Sequence, residues 1–212
     1  LTFPVPPLGC NCAILTHKPT RESIVVDPGG DAERITALLK QRGYTVKWII
    51  HTHAHFDHCM GTHDVAERCR AEGSVGLRVA MHPGDLPLYE SLPAQCRFFG
   101  VPLAPGALEA VDHRLEDEEE LGFGDFRLQV LHTPGHTPGS CSFNLPAFGL
   151  VFSGDTLFAG GIGRTDLPGG SYDTIIRSIR NRLLVLDEAT TVIPGHGDTT
   201  RIYEEKHHNP FL

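Results

Sequence analysis

The sequence lacks the features that would place it in a membrane. No apolar run approaches 18 residues, and no basic segment followed by an apolar one resembles a leader, although Leu1 is not an initiator methionine. Hydrophobic residues make up 40% of the chain and charged residues 21%, which is ordinary for a globular protein. At 212 residues the chain can bury a large core, and we expect one domain that spans residues 1–212.

The six cysteines lack the CxxC spacing of a metal or redox motif, and a chain of this length needs no cross-links to fold. We therefore expect a reduced, cytoplasmic protein. Cys10 and Cys12 would share one face of a predicted strand as small core residues. Cys59 adjoins the histidine motif described below, where it either fills the core or supports that motif. The set comprises Cys10, Cys12, Cys59, Cys69, Cys96 and Cys141.

No cluster of lysine and arginine is present, and the formal net charge is −8. A long phosphate backbone would be repelled by such a chain, so nucleic acid is excluded as the expected partner. A membrane is not an expected partner either, because no apolar run approaches 18 residues. The remaining expectation is a small-molecule substrate.

One histidine-rich motif stands out against this ordinary background. His51-Thr52-His53-Ala54-His55-Phe56-Asp57-His58 follows the apolar run 46–50, which predicts a buried strand, and precedes a predicted helix from Met60 to about Ala71. With 13 histidines in the chain, the pattern His-x-His-x-Asp-His arises by chance in roughly three of a thousand such sequences. Several buried polar groups on one turn need partners, and a metal ion is the obvious one.

The surrounding first half alternates predicted strands and one helix. Strands are predicted at 12–15 and 23–26, and an amphipathic helix from Ala32, with Asp31 as its N-cap, ends at Gly43. Asp27 ends a strand at the same edge as the histidine motif, either as a brace for it or as a turn former. Residues 81–106 combine prolines with aromatic side chains and predict a packed surface excursion without regular elements, which either lines a cleft or covers the core.

The second half repeats the theme of a strand followed by a glycine- and proline-rich turn that carries a potential ligand. The predicted strand 126–131 leads to His136, the strand 150–152 to Asp155, and the strand 191–193 to His196. An amphipathic helix is predicted over 172–186. Strands with helices before, between and after them predict an α/β fold in which helices cover the sheets and all candidate ligands emerge at one edge.

Seven strand-end residues are too many for one tetrahedral zinc, so we divide them between two metal ions. We assign three imidazoles to a first metal, three further residues to a second, and Asp155 as the bridge between them. The other histidines are predicted to be core, supporting or surface residues. The first-metal ligands are His53, His55 and His136; the second-metal ligands are Asp57, His58 and His196; the histidines left out include His51, His63, His82, His132, His207 and His208.

These motifs together resemble the metallo-β-lactamase superfamily, and in particular its glyoxalase II branch of hydroxyacylglutathione hydrolases. The resemblance rests on Thr52–His58, Pro134–Gly139, Gly154–Phe158 and Pro194–Gly197, while Gly161–Asp166 and the ending His208–Leu212 are similar to the short, single-domain bacterial members. It implies a four-layer αββα sandwich with two divalent metals, zinc first and iron or manganese as alternatives.

The resemblance also implies an activity. A hydroxide that bridges the two metals would attack a glutathione thioester such as S-lactoylglutathione, a step of methylglyoxal detoxification. Asp57 would serve as both ligand and proton acceptor, and the thiol, with a pKa of about 8.5, would leave without a general acid. Arg164 matches a family position near the substrate mouth and would contact the anionic substrate, unless it only pairs with Asp166.

Two departures keep an alternative open. The chain ends soon after His196, with no room for the helical C-terminal domain that supplies much of the glutathione pocket in longer glyoxalases II. The run Gly161–Asp166 is also shared with iron-dependent persulfide dioxygenases, which act on glutathione persulfide. A lactonase or nuclease of the same fold, or a binding protein with a decayed site, are further alternatives, and the acidic charge disfavours the nuclease.

Overall fold

A computed structural model describes all residues 1–212, and its strands form two six-stranded mixed sheets. The first sheet consists of β1 (Thr2–Val5), β2 (Cys10–His17), β3 (Glu22–Val26), β4 (Thr45–Ile50), β5 (Arg78–Met81) and β6 (His113–Arg114). These strands lie side by side in chain order. Strands β1 to β3 pair antiparallel and β3 to β6 pair parallel, so β3, β4 and β5 end at the same edge.

The second sheet is built from the C-terminal half of the chain. It consists of β7 (Glu120–Phe123), β8 (Phe126–His132), β9 (Cys141–Leu145), β10 (Leu150–Gly154), β13 (Thr191–Pro194) and β14 (Thr200–Arg201). The order is β14-β13-β10-β9-β8-β7, with β10 and β13 parallel and the other neighbours antiparallel. A separate hairpin joins β11 (Leu157–Phe158) to β12 (Gly161–Ile162). Strands β8, β10 and β13 therefore run in one direction and end at one edge.

Helices cover the outer faces of both sheets. They are α1 (Ala32–Gln41), α2 (Phe56–Cys59), α3 (Thr62–Ala71), α4 (Leu86–Glu90), α5 (Leu92–Phe98), α6 (Tyr172–Ser178), which continues as a π-helical turn over Ile179–Leu183, and α7 (Ile202–His208). Short 3₁₀ turns occupy Pro83–Asp85 and Pro146–Phe148. Helices α1 and α3 pack on the first sheet, and α6 and α7 pack on the second. The predicted α/β fold with four αββα layers is confirmed.

The alternation of side chains along β2 shows why the layers form. Cys10, Cys12 and Ile14 contribute to the core under α1 and α3, whereas Ala13 and Leu15 face the core between the two sheets. Successive side chains of a strand point to opposite faces, so the apolar run 12–15 of β2 has to be buried on both sides. All six cysteines are free and buried, as expected for core residues. The cytoplasmic location stays a prediction.

The proline-rich excursion differs from its prediction. Instead of an irregular segment, the structure forms a 3₁₀ turn and the short helices α4 and α5 there. The sequence interpretation was wrong because Pro83, Pro87 and Pro93 all stand in the first turn of a helix. In that turn the missing N–H has no intrahelical partner to lose, so proline is tolerated. The segment packs around Phe56 and Met81 and thus covers core.

The ends of the helices can be compared with those predicted from the sequence. Asp31 stands at the N-cap of α1, but its side chain makes no capping hydrogen bond and its φ is 54°. Gly43 follows the helix with a φ of 64°, as predicted for a C-terminal stop. The short helix α2 begins at Phe56, inside the histidine motif, and the helix predicted from Met60 to about Ala71 is α3, which begins at Thr62. No helix in the structure combines the length and apolar character needed to cross a bilayer.

Candidate metal centre

The histidine motif leaves β4 at the edge where the parallel strands of both sheets end. Asp27, just past β3, adopts a left-handed backbone with φ 48° and accepts hydrogen bonds from the Thr52 amide (2.8 Å) and the Thr52 hydroxyl (2.6 Å). Its Oδ2 also lies 3.1 Å from Nδ1 of His58. A non-glycine residue in this conformation is strained, and such strain persists where the surroundings hold it. Asp27 is therefore both a turn residue and a brace for the motif.

The same network determines which ring nitrogens face inward. The Thr52 hydroxyl donates to Asp27, so it can only accept from Nδ1–H of His53, which lies 3.1 Å away. The carboxylate of Asp27 likewise accepts from Nδ1–H of His58. In the neutral form of either ring, Nε2 is then left without a proton. A neutral imidazole with a bare nitrogen is the form that binds a metal.

The first predicted triad comes together across the two halves of the chain. One nitrogen each of His53, His55 and His136 lies within 4.8 Å of the others. Nδ1 of His55 is 2.9 Å from Nε2 of His136, whose Nδ1 donates to the carbonyl of Arg164 at 2.8 Å. Nε2 of His53 is buried and has no hydrogen-bond partner. Three imidazoles thus point their nitrogens at one place.

The second predicted triad lies beside it. Ligand atoms of Asp57, His58 and His196 are within 4.8 Å of one another. Nε2 of His196 is 3.1 Å from Oδ2 of Asp57 and 3.2 Å from Nε2 of His58. His196 reaches this position from the turn after β13. There a Cβ on Gly195 would lie 2.1 Å from Oδ1 of Asp155, so only glycine fits.

Asp155 lies between the two triads. Its Oδ1 is 3.5 Å from Nε2 of His58, and its Oδ2 is 3.7 Å from Nε2 of His136 and 3.9 Å from Nε2 of His196. Oδ1 is buried without a hydrogen-bond partner. A carboxylate that faces both triads occupies the position expected of a bridge.

Electrostatics keep three of these groups, His53, His55 and Asp57, in the forms that bind metals. Burial, reinforced by repulsion from His136 and His58, lowers the pKa of His55 to about 3. Burial and the neighbouring rings also hold the pKa of His53 well below its usual range. Although burial opposes it, the hydrogen bond from His196 helps to lower the pKa of Asp57 to about 2. His53 and His55 are therefore neutral and Asp57 anionic at neutral pH.

The chemistry of this donor set fits a pair of divalent cations. Buried polar atoms in folded proteins almost always have partners, yet His53 Nε2 and Asp155 Oδ1 have none within the chain. Both belong to the predicted ligand set. Imidazole nitrogens and carboxylate oxygens crowd to within 2.9 to 3.9 Å of one another, and cations among them would give all of these donor atoms partners. The assignment of each residue to a metal stays a prediction.

The other histidines lie outside this cluster. His51 is fully buried, with Nε2 2.7 Å from the Thr62 hydroxyl and Nδ1 3.2 Å from the Ala80 carbonyl. His63 pairs with Glu109. His207 and His208 are exposed on α7, as expected. These positions agree with core, supporting and surface roles.

His82 and His132 stack on each other near the same edge, with ring centroids 4.0 Å apart and an interplanar angle of 14°. Burial, followed by repulsion from His132, lowers the pKa of His82 to about 4. As the pH falls from about 6.5 to 4, the unfolded chain binds a proton at this position and the folded chain does not, so stability falls. We expect His82→Gln to lose less stability over this window than the wild type, by on the order of 1 kcal/mol after discounting for solvent.

Urea unfolding of the metal-free proteins at pH 7 and pH 5 tests this expectation. His207→Gln, which changes an exposed histidine, is the matched control and should follow the wild type. The same pH dependence in His82→Gln and the wild type would contradict the expectation.

The side chain of Arg164 forms a two-pronged ion pair with Asp166, with both N–O distances 2.8 Å. Its carbonyl, meanwhile, orients His136. The structure therefore contains the pairing with Asp166 that the sequence left as one of two interpretations. The pair is exposed, so the guanidinium lies within reach of solutes.

Three supporting residues escaped the sequence interpretation. Cys10, expected only as core filler, places its Sγ 3.3 Å from Nδ1 of His58. Asn11 donates from its side chain to the carbonyls of Pro194 and Gly197, both at 3.0 Å, on either side of His196. Asp85 contacts two ligand-bearing loops. Of the three, only Asp85 could have been found from the sequence, because His82-Pro83-Gly84-Asp85 is another strand-end turn with proline and glycine.

Comparisons with known proteins agree with this geometry. The family model described as the metallo-beta-lactamase superfamily matches residues 5–196. YqgX of Bacillus subtilis (strain 168), a probable metallo-hydrolase, is 38% identical over 213 residues, which are 99% of this chain and 95% of the relative. The hydroxyacylglutathione hydrolase GloC of Haemophilus influenzae is 37% identical over 212 residues, 99% and 96% of the two chains.

Solved structures extend the comparison. The B3 metallo-beta-lactamase BLEG-1 superposes with a TM-score of 0.89 at 37% identity, covering 100% of this chain and 98% of that one. TTHA1623, in a di-iron-bound form, gives 0.87 at 38% identity, with 100% of both chains covered. ETHE1 from Myxococcus xanthus gives 0.76 at 26% identity, with 95% and 78% covered.

The chain belongs to the metallo-beta-lactamase superfamily. This confirms the resemblance seen in the sequence. The fold binds a dinuclear metal site, and the His/Asp cluster for such a site is present here. The general activity of this protein is that of a metal-dependent hydrolase.

Proposed function

We propose that this protein hydrolyses glutathione thioesters, S-lactoylglutathione among them, with two divalent metal ions. The observation that carries the proposal is the pair of buried triads with Asp155 between them. We assign His53, His55 and His136 to one ion, Asp57, His58 and His196 to the other, and Asp155 to both. Residues 1–212 are proposed to act as one domain in the cytoplasm.

Two divalent ions, when bound, would lower the pKa of a water far below its bulk value, toward about 7, and would polarise a carbonyl oxygen. The residues of the chain hold the geometry for that chemistry. Three groups each orient one imidazole through its Nδ1 atom: Asp27 orients His58, the Thr52 hydroxyl orients His53, and the Arg164 carbonyl orients His136. Asp57, anionic at neutral pH and hydrogen-bonded to His196, is the proposed proton acceptor.

The choice of a thioester follows from the leaving group. A thiol with a pKa of about 8.5 departs as the thiolate near neutral pH, so the site needs no general acid. All seven clustered side chains are assigned as metal ligands, and none of them is assigned as a general acid. The likeness to the hydroxyacylglutathione hydrolase GloC supports the same substrate class. Zinc is the proposed metal, and iron or manganese are the alternatives. Of these two alternatives, the di-iron form of TTHA1623 favours iron.

A second candidate function is an iron-dependent persulfide dioxygenase. The run Gly161–Asp166, which resembles that of persulfide dioxygenases, favours it. Such an enzyme, as the sequence resemblance implies, holds a single iron through two histidines and an aspartate. Against it, the second triad here is complete, with Asp57 and His58 buried and His196 partly buried, and a one-metal site does not require such a triad.

One experiment separates these functions. Hydrolysis of S-lactoylglutathione and oxygen uptake with glutathione persulfide are measured on the same sample, together with its metal content. We expect thioester hydrolysis with two metals per chain. One iron per chain with oxygen uptake would replace the hydrolase proposal by the dioxygenase. A β-lactam is included as a third substrate because of the likeness to BLEG-1.

Arg164 is the proposed contact for the anionic substrate, and Asp166 competes for it. We expect Arg164→Ala to raise the KM for S-lactoylglutathione roughly two- to fivefold with kcat unchanged, the range that one exposed ion pair permits. Asp166→Asn frees the guanidinium and should not raise the KM. Steady-state kinetics test this, with a thioester of uncharged N-acetylcysteamine as the control substrate. An equal rise in KM for the uncharged thioester would show that Arg164 does not recognise charge.

A further inference from the structure

Asp85 is a fully buried carboxylate that none of the metal-ligand motifs contains. It lies at the end of the 3₁₀ turn Pro83–Asp85, which follows β5, and its exposed fraction is 0%. Charged side chains are rarely buried to this extent unless they are paired. No lysine, arginine or histidine forms an ion pair with it. Its partners are instead three neutral hydrogen-bond donors.

These three donors belong to the two loops that carry the first triad. The amide of Ala54, between His53 and His55, donates to Oδ2 at 2.9 Å. The hydroxyl of Thr137, next to His136, donates to the same oxygen at 2.8 Å, and the amide of Gly139 donates to Oδ1 at 2.6 Å. One carboxylate thus spans the loop of the first sheet and the loop of the second.

Close packing fixes the position of Asp85 relative to the loop that contains Gly139. A Cβ on Gly139 would lie 2.5 Å from the amide nitrogen of Asp85 and 2.7 Å from its Cγ, so the loop approaches as near as glycine allows. The second triad has a different support. Asn11 holds the turn around His196, and Asp85 makes no hydrogen bond to that turn.

We propose that Asp85 is a positioning residue for the first metal: it sets the spacing between the His53–His55 turn and the His136 loop. The proposal rests on the metal assignment of the proposed function but not on its substrate. Supporting residues of this kind typically change metal affinity by about 10- to 100-fold when they are replaced. Asp85 should therefore affect the first metal and leave the second nearly unchanged.

The test is Asp85→Asn, which keeps the size of the side chain but turns one acceptor into a donor that opposes an N–H or O–H group. The metal-free protein is titrated with Co²⁺ and followed by visible absorption and by the shifted imidazole N–H resonances. His55→Ala and His196→Ala assign those resonances to the two sites. Asn11→Ala is the matched control, because it removes support from the other triad.

We expect Asp85→Asn to weaken the first-site Kd about 10- to 100-fold with the second site retained, and Asn11→Ala to show the reverse. Thr137→Val, which removes one of the three donors, should show a smaller first-site loss and is decisive if Asp85→Asn does not fold. Equal weakening of both sites, or wild-type affinity at the first site, overturns the proposal. A wild-type protein that binds no second Co²⁺ would instead refute the two-metal assignment.

Discussion

Replacing His58 with alanine is expected to lower turnover of S-lactoylglutathione by orders of magnitude and to reduce the bound metal to one ion per chain. His58 is fully buried, and its Nε2 faces His196, Asp57 and Asp155. No other imidazole of the second triad could replace it, because His196 already contributes its own nitrogen. The measurements are steady-state kinetics and metal content after gel filtration.

His51→Gln is the matched control for this variant. His51 is as buried as His58 and begins the same motif, but it faces Thr62 and Ala80 rather than the cluster. The control should retain both metals, and its turnover should fall far less. Unchanged turnover in His58→Ala would mean that one metal suffices for the reaction.

Removing the metals is expected to lower the thermal stability of the wild type substantially. Without cations the cluster holds unpartnered buried atoms, such as His53 Nε2 and Asp155 Oδ1. A ligand at about a thousand times its Kd stabilises the folded state by about 4 kcal/mol per site. In a chain of this size 1 kcal/mol corresponds to roughly 2–4 °C, so we expect Tm to fall by on the order of 10 °C or more.

Calorimetry of the metal-loaded and chelator-treated protein measures this difference. Asp155→Ala lacks the carboxylate that faces both triads, so its Tm should respond much less to added metal. Equal Tm values for loaded and metal-free wild type would show that the cluster does not bind the ions tightly.

The strand-end motifs made much of the site predictable. His53, His136, Asp155 and His196 each follow an apolar run within a few residues, and parallel strands present their carboxyl ends at one edge. Short apolar runs also predicted the strands β4, β8 and β10. It failed for residues 81–106, because the sequence does not say whether a proline will stand in a first helical turn or interrupt a helix.

Patterns that repeat over a few residues determined an α/β fold with helices on its sheets and the residue types that converge on the cluster, and the family resemblance implied the four-layer arrangement. Tertiary structure alone decided which side chains support them. Asp85 reaches Gly139, Asn11 reaches Gly197, Cys10 reaches His58, and Arg164 turns to Asp166 while its carbonyl holds His136. Most of these partners are far apart in the chain, and a hydrogen bond depends on a few tenths of an ångström that only the packed layers define.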